Sequence, residues 1–227
     1  MPIELDVAAL SHAERYKLLI GSITPRPIAF VSTLSAHPSG DGTPNLAPYS
    51  FFNAIGADPM TVMFCPANNA DGSMKDSMRN AMPPSETESE GGPDGGLGEF
   101  VVNLATEAYQ QQMAATAEAL PHGVSEFDFA GLTTAPSRIV RPPRLAESPV
   151  SFECRTTHVV RTNGNSPHAG NMVVGEVVWV HVAEGLINER MHVDADKLST
   201  IGRMGGADYC RTRDRFSMPH GRSALER

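Results

Sequence analysis

Short apolar segments separated by turns rich in proline and glycine recur along this chain of 227 residues. Residues 28–34 (IAFVSTL), 61–65 (TVMFC) and 98–104 (GEFVVNL) have the length of strands and are too short for buried helices. Residues 150–160 alternate apolar and polar side chains, which predicts a strand with one face in water, and residues 172–182 are apolar on nearly both faces. Several short strands with such turns favour a closed antiparallel sheet, so we predict a mainly β fold with a few peripheral helices.

Two capping boxes and one apolar stripe predict helices. Ser11 with Glu14, and Ser73 with Asp76, have the spacing at which an N-cap hydroxyl and an acidic side chain satisfy each other's backbone N–H groups. The second pair predicts a helix from about residue 74. Segment 106–120 has apolar residues at helical spacing, which predicts a helix packed on the core. These apolar residues are Tyr109, Met113, Ala117 and Leu120.

Composition excludes several classes of function. The formal net charge of −8 argues against a nucleic-acid partner or an anionic membrane surface, since both need clustered Lys and Arg. Cys65, Cys154 and Cys210 are far apart and lack CxxC spacing, so neither a disulfide framework nor a metal site is expected. No apolar run reaches the roughly 18 residues of a membrane span. The N-terminus carries acids where a signal peptide carries basic residues. We therefore expect one cytoplasmic domain over residues 1–227, directed to small molecules.

Segment 45–53 (NLAPYSFFN) has the clearest binding chemistry. Pro48 donates no backbone hydrogen bond, which favours the edge of a sheet and predicts that neighbouring N–H groups are free to face a ligand. Aromatic surface beside Asn and Ser suits a planar ring rich in heteroatoms better than a metal or an acyl substrate. The alternative is that these residues serve only packing and turn formation.

A second stretch, residues 68–82, combines Lys75 and Ser77 in the first turn of its expected helix. First-turn N–H groups, a lysine and a hydroxyl favour an anion, and a phosphate would fit there. The alternative is an ordinary surface helix with a solvated lysine. Residues 83–98 (PPSETESEGGPDGGLG) have almost no large apolar side chain, so we expect a mobile insertion. They lack the Lys-Ser/Thr ending of a phosphate-binding loop.

Seven segments, in order, resemble the flavin reductase-like family of FMN-binding split β-barrels, and the resemblance extends from about residue 16 to residue 216. The resemblance implies a closed antiparallel Greek-key barrel, bound FMN and a homodimer. The segments are PRPIAFVST (25–33), NLAPYSFFN (45–53), KDSMRN (75–80), GEFVVNL (98–104), ESPVSFEC (147–154), GEVVWVHV (175–182) and GRMGGADY (202–209).

The same resemblance implies a set of FMN-contacting residues. The isoalloxazine ring is assigned to the segment from Ala47 to Phe52, and the ribityl and phosphate groups to hydroxyl and basic side chains. The complete set is Arg26, Ser32, Thr33, Ala47, Pro48, Tyr49, Ser50, Phe51, Phe52, Lys75 and Ser77. Phe127, His168, Arg203 and Tyr209 are the candidates for substrate binding. No catalytic residue and no metal ligand is assigned, since a flavin carries the redox chemistry itself.

Three functions follow as hypotheses. The first is an FMN-dependent oxidoreductase, an NAD(P)H:flavin reductase. The second is a flavoredoxin-like electron-transfer protein that takes electrons from a redox protein and has no nicotinamide site. It gains support because His168 lacks the Gly-Asp that precedes the nicotinamide-contacting histidine in one related group. The third is a dimeric binding module without catalysis.

Overall fold

Seven antiparallel strands form the main sheet of the protein, described here from a computed structural model that covers residues 1–36, 42–84, 96–121 and 123–225. Two short hairpins accompany the main sheet, whose strand order is β2-β1-β5-β8-β9-β4-β3. The strands are β1 (Ala29–Leu34), β2 (Pro44–Tyr49), β3 (Phe52–Ala57), β4 (Met60–Phe64), β5 (Glu99–Leu104), β6 (Thr134–Ala135), β7 (Arg144–Leu145), β8 (Val150–Arg161), β9 (Asn171–Val182), β10 (Ile201–Arg203) and β11 (Tyr209–Arg211).

The mainly β prediction is confirmed, but closure of the sheet by hydrogen bonds is not. In the described part of the chain, β2 and β3 are the two edges and pair only with β1 and β4 respectively. Only residues 50 and 51 separate these two edge strands along the chain. The sheet therefore bends back towards its own start, with a short covalent link where a closed barrel has a hydrogen-bond ladder.

In the described residues five α-helices flank the sheet: α1 (His12–Ser22), α2 (Asp76–Ala81), α3 (Gln110–Ala115), α4 (Glu126–Ala130) and α5 (Ala195–Leu198). Short 3-10 turns cover Val7–Ala9, Glu107–Tyr109 and Gly221–Ala224. Among these described elements no helix has the length and apolar character needed to cross a membrane.

The first predicted capping box is confirmed and the second is wrong. Ser11 and Glu14 cap α1 reciprocally. Lys75 is the N-cap of α2 and makes no side-chain cap, while the Ser73 hydroxyl donates to Asp71 at 2.6 Å. The carboxylate of Asp71 explains the difference, because it is two residues from Ser73 and competes for the Ser73 hydroxyl with the backbone N–H groups of the first helical turn. As a result α2 begins at Asp76 and not near residue 74.

Two apolar clusters occupy opposite faces of β1. Val31 packs with Phe64 and Phe100, whereas Phe30 packs with Tyr109 and the side chains of α3 and α4. The alternation of strand side chains produces this division. It confirms Tyr109 and Met113 as core residues, although α3 ends at Ala115 and segment 116–120 continues as turn and loop.

The predicted wet face of β8 is confirmed at Arg155, which is exposed, but is wrong for Ser151 and Glu153. Ser151 and Glu153 are fully buried because a loop folds over them. The Glu153 carboxylate accepts the backbone N–H groups of residues 138–140 at 2.7–3.0 Å and contacts Nε2 of His181 at 2.6 Å. Burial acts to raise the pKa of Glu153, but these hydrogen bonds outweigh it and lower the pKa. Glu153, which the alternating pattern places in water, is thus buried and binds the backbone of the loop at residues 138–140.

The insertion expected at residues 83–98 falls mainly outside the described residues. At its ends, the Leu97 N–H donates to the Asn80 carbonyl and the Gly98 N–H to the Met82 carbonyl. Cys65, Cys154 and Cys210 are all free thiols. Over the described ranges no cluster of three or more His, Cys, Asp or Glu side chains could hold a metal ion.

Candidate functional site

A cavity of about 710 Å³ lies along strand β2. Its floor is formed by Asn45 and Ala47 to Tyr49, its second wall by residues 69–79, and its third by residues 116–120 with Glu126. This volume is in the range of small-molecule and cofactor sites.

The edge of β2 presents fewer N–H groups to this cavity than the sequence predicts. The Leu46 N–H points away from β1 and donates to the Glu126 carboxylate at 2.9 Å. Backbone groups alternate between the two sides of a strand, so the next outward-facing residue is Pro48, which has no N–H. The outer edge of β2 therefore offers the carbonyl of Pro48 as an acceptor, since Leu46 is fully buried.

A hydrogen-bonded polar network forms the wall beside this edge. Both carboxylate oxygens of Glu126 accept the Asn45 side-chain amide, at 2.8 and 2.9 Å. The Asn45 carbonyl oxygen accepts the hydroxyls of Ser77 at 2.7 Å and Thr33 at 3.2 Å, and Asn80 donates to Thr33 at 3.1 Å. This network fixes the Ser77 side chain relative to β2, since each member has a partner on a different element.

Burial controls the protonation of two groups in this wall. It is the largest cause that raises the pKa of Glu126, and it raises the pKa of the Tyr49 hydroxyl to about 12. Tyr49 therefore remains neutral and serves as a ring surface and hydroxyl near Ser77.

Two cations line the cavity and differ in their pairing. Arg79 contacts Asp76 at 2.9 Å, whereas the ammonium group of Lys75 has no ion pair or hydrogen bond within the described residues. An ammonium group without a carboxylate partner in a cavity is well suited to attract an anion.

The structure brings together five of the sequence-predicted cofactor residues: Ala47, Pro48, Tyr49, Lys75 and Ser77 all line the cavity. Thr33 lies behind the wall, fully buried, and reaches the site only through Asn45. Ser32, one residue away, points to the opposite face of β1 and donates to the Pro143 carbonyl. The predicted contact of Ser32 with the ligand is therefore wrong for this cavity. Successive side chains of a strand point to opposite faces, so the hydroxyls of Ser32 and Thr33 cannot both face the same site.

Arg26 and the segment from Ser50 to Phe52 lie outside this cavity. The Arg26 side chain donates to Ser50 and to carbonyls of α1 and its C-terminal turn, and its guanidinium lies 5.8 Å from the ring centroid of Phe51. Phe52 lines a second cavity together with Arg26. The structure thus separates Arg26 from Lys75 and Ser77.

The four predicted substrate contacts do not form one site, although Arg203 and Tyr209 are in contact with each other. Phe127 is 1% exposed within the core, so its predicted contact with substrate is wrong. His168 stacks on His12 with ring centroids 4.9 Å apart, and Arg203 stacks over Tyr209 at 4.4 Å in the β10–β11 hairpin. Phe127 belongs to α4 and lies on the face of this helix that packs against the core.

Sequence reasoning did not assign Glu126, Asn45 and Arg79 to the site. Arg79 is four residues from Lys75, and this spacing places them on one face, a signal that was readable. Asn45 belongs to the segment singled out for its aromatic surface. Glu126 is 80 residues from Leu46 and reaches it only through the fold, so no local pattern indicates it.

Comparison with known proteins places these features in a family. The flavin reductase like domain profile matches residues 21–200. An uncharacterized protein of Deinococcus radiodurans is 37% identical over 216 residues, which are 94% of this chain and 87% of that protein.

Two solved structures share the fold along nearly their whole length. Nitrilotriacetate monooxygenase component B from Bacillus cereus is 32% identical, with a TM-score of 0.83 over 96% of this chain and 99% of its own. The 2-nitrobenzoate 2-nitroreductase of Pseudomonas fluorescens is 28% identical, with a TM-score of 0.76 over 97% of both chains. With a matching profile over residues 21–200, a strand-edge cavity and these relatives, the chain belongs to the flavin reductase-like family.

Proposed function

We propose that this protein is an FMN-dependent oxidoreductase that uses NAD(P)H to reduce flavin. Membership of the family implies a flavin cofactor, and the choice of FMN is part of the proposal. The observation that carries it is the cavity along β2, which joins Ala47, Pro48 and Tyr49 to Lys75 and Ser77.

The donors and acceptors of the cavity fit a flavin mononucleotide. The carbonyl of Pro48 suits the ring N–H of an isoalloxazine, and Glu126 with Asn45 suits hydroxyl donors of a ribityl chain. Lys75 supplies an unpaired positive charge for a phosphate. The cavity is also lined by Asp71, Asp76 and Glu118. The positive charges of Lys75 and Arg79 must therefore offset the repulsion between these carboxylates and a phosphate for the phosphate to bind.

The protein's own part in the reaction would be binding and orientation. A flavin, when bound, supplies hydride acceptance and delivery. The β2 edge would set the plane of the ring, and the Glu126–Asn45 contact would keep that edge at a fixed distance from Ser77. Holding the reacting groups in one geometry lowers the entropic part of the activation barrier of the reaction. No side chain needs to transfer a proton in the hydride step.

An anaerobic titration tests the proposal. Purified protein saturated with FMN is titrated with NADH and then NADPH, and the flavin absorbance at about 450 nm is followed. Rapid bleaching by either nucleotide is the expected result and identifies the donor. A protein that remains colourless and has no affinity for FMN would overturn the proposal in favour of a non-catalytic binding module.

A flavoredoxin-like carrier is the second candidate, because of the position of His168. This residue stacks on His12 and does not line the cavity along β2. The nearest sequence counterpart of a nicotinamide-contacting histidine is therefore elsewhere. Flavin that binds but stays oxidised until dithionite is added would favour this candidate, with a redox protein as the donor.

A homodimer, a cytoplasmic location and a single domain over residues 1–227 remain part of the proposal. Apolar side chains that lie exposed on β3 and β9 support the homodimer.

A further inference from the structure

A second cavity, of about 330 Å³, lies where the start of β1 meets the β10–β11 hairpin. Its walls are mostly apolar and include Pro27, Ile28, Phe52, Ala105 and Ile201. Arg26 also lines it, and Thr200 and Thr212 add hydroxyl groups. A volume of this size with apolar walls and a few polar groups is typical of a site for a small ring-containing molecule.

Arg26 is unusual because its charge is buried without an anion. The residue is 4% exposed. A guanidinium group has five N–H donors, and four of them donate to neutral oxygens: the Ser50 hydroxyl and the carbonyls of Ile20, Ile23 and Met204. Throughout the described residues no carboxylate contacts it, and its fifth N–H has no acceptor.

The surroundings add a second positive charge. Arg203 pairs through its backbone with Arg26, and its side chain lies over the Tyr209 ring and donates to the Gly206 carbonyl. It has no ion pair in the described parts of the chain either. Burial lowers the pKa of Arg26, the nearby Tyr16 acts to raise it, and the neighbouring charge of Arg203 acts to lower it. The negative end of α1, whose C-terminal carbonyls Arg26 caps, offsets part of this cost.

We propose that the second cavity binds a small aromatic carboxylate, with its ring against the apolar walls and its carboxylate compensating the charge of Arg26. A neutral apolar ligand would leave the buried cation uncompensated, and a highly charged ligand would not enter apolar walls. A planar monoanion satisfies both requirements.

The position of this cavity links it to the first one. Tyr49 lines the cavity along β2 and Phe52 lines the second, so three residues of chain, about 10 Å at most, connect them. If the proposed flavin function holds, a carboxylate bound here lies beside the flavin site and is placed to be its second substrate. Binding itself does not depend on that function and is tested without redox chemistry.

Calorimetry and ligand-observed NMR test the binding with 2-naphthoate as the probe and 2-naphthamide as its neutral match. Both are titrated into the full chain, once without added flavin and once saturated with FMN. We expect saturable binding of naphthoate, at least about tenfold weaker binding of naphthamide, and no displacement by FMN. Equal affinity for the two probes, or competition by FMN, would overturn the proposal.

Variants locate the site. Ala105→Leu fills the cavity and should abolish binding. Arg26→Gln should weaken naphthoate by about tenfold and leave naphthamide unchanged. Because Arg26 also caps α1, Arg203→Gln provides a milder second variant, with an expected loss of about threefold.

Arg211→Gln is the matched control for these variants, since Arg211 lies on the same hairpin but pairs with Glu107 at 2.9 Å. It should retain wild-type affinity. Thermal melting of each variant shows whether the fold is intact. Naphthoate binding that is unchanged in a folded Ala105→Leu or Arg203→Gln protein would place the ligand elsewhere and refute the assignment.

Discussion

At the scale of single residues, Lys75 carries the most specific prediction about the cavity along β2. It is the cation there without a partner in the described residues, whereas Arg79 contacts Asp76. Lys75→Ala should weaken FMN by at least about tenfold, since a charge-assisted contact to phosphate contributes roughly 1.5–3 kcal/mol. Flavin fluorescence quenching measures the affinity.

Riboflavin is the control for this variant, because it has the ring and ribityl chain but no phosphate. Its affinity should not change. Lys197→Ala controls for loss of a lysine elsewhere, since Lys197 lies near Asp194 on α5. An equal loss of riboflavin and FMN would show that Lys75 does not act through the phosphate.

Glu126 predicts a dependence of stability on pH. Burial raises its pKa above the ordinary value of 4.5. The folded state then holds the proton more tightly than the unfolded state, so the free energy of unfolding falls as pH rises from about 4.5 through the raised pKa. Glu126→Gln removes this titration and should flatten the fall, measured as urea midpoints against pH.

Glu118→Gln is the matched control, since Glu118 lines the same cavity but is exposed. It should leave the slope of the wild type unchanged. A slope in Glu126→Gln identical to that of the wild type would mean that Glu126 titrates alike in the folded and unfolded states.

At the scale of elements, Gly175 in β9 leaves room for the Phe100 ring to pack directly against the backbone of this strand. A Cβ atom there would lie 2.5 Å from the buried ring of Phe100 and 3.2 Å from Cβ of Cys154. Gly175→Ala should lower the free energy of unfolding by about 1–3 kcal/mol, because overpacking forces the ring to move. Gly56→Ala in β3 has open space around it and should change stability by less than about 0.5 kcal/mol. Chemical denaturation of both variants measures this difference, and equal losses would contradict it.

The elements also show what local sequence can and cannot predict. Strands such as β1 and β9 follow from apolar runs, and α1 follows from its capping box, because each signal lies within the element itself. The buried Glu153 could not be predicted, since its partners come from a loop 13–15 residues away. The face of a strand on which a side chain lies can be predicted from the sequence of that strand. The segment that covers this face belongs to another part of the chain and cannot be predicted in this way.

The same division holds for the whole molecule and the site. The segment from Ala47 to Tyr49 with Lys75 and Ser77 could be predicted from composition and from a family resemblance. Closure of the sheet could not, because it depends on whether the edges β2 and β3 pair with each other, and they do not pair although only residues 50–51 separate them.

An open sheet leaves apolar side chains uncovered, and these predict the assembly of the molecule. Ile55 on β3 is 56% exposed, and Val160 and Val180 on β8 and β9 are 46% and 40% exposed. Exposed apolar side chains on edge and neighbouring strands favour association when they form a continuous surface. We expect the wild type to have twice the mass of the chain by light scattering at about 10–100 μM, a range in which stable dimers persist.

Val180→Glu should shift this protein towards monomer, because dimerisation would bury an unpaired carboxylate at the interface. Val124→Glu is the control: Val124 is 46% exposed but lies in the loop before α4, away from the strands. It should remain dimeric. A wild type that is monomeric at the highest concentration would refute the homodimer. If the Val180→Glu protein stays dimeric while an Ile55→Glu protein becomes monomeric, the interface lies on β3 and Val180 lies outside it. A new carboxylate is tolerated at a position that remains in water, whereas it is costly at a position that the partner covers.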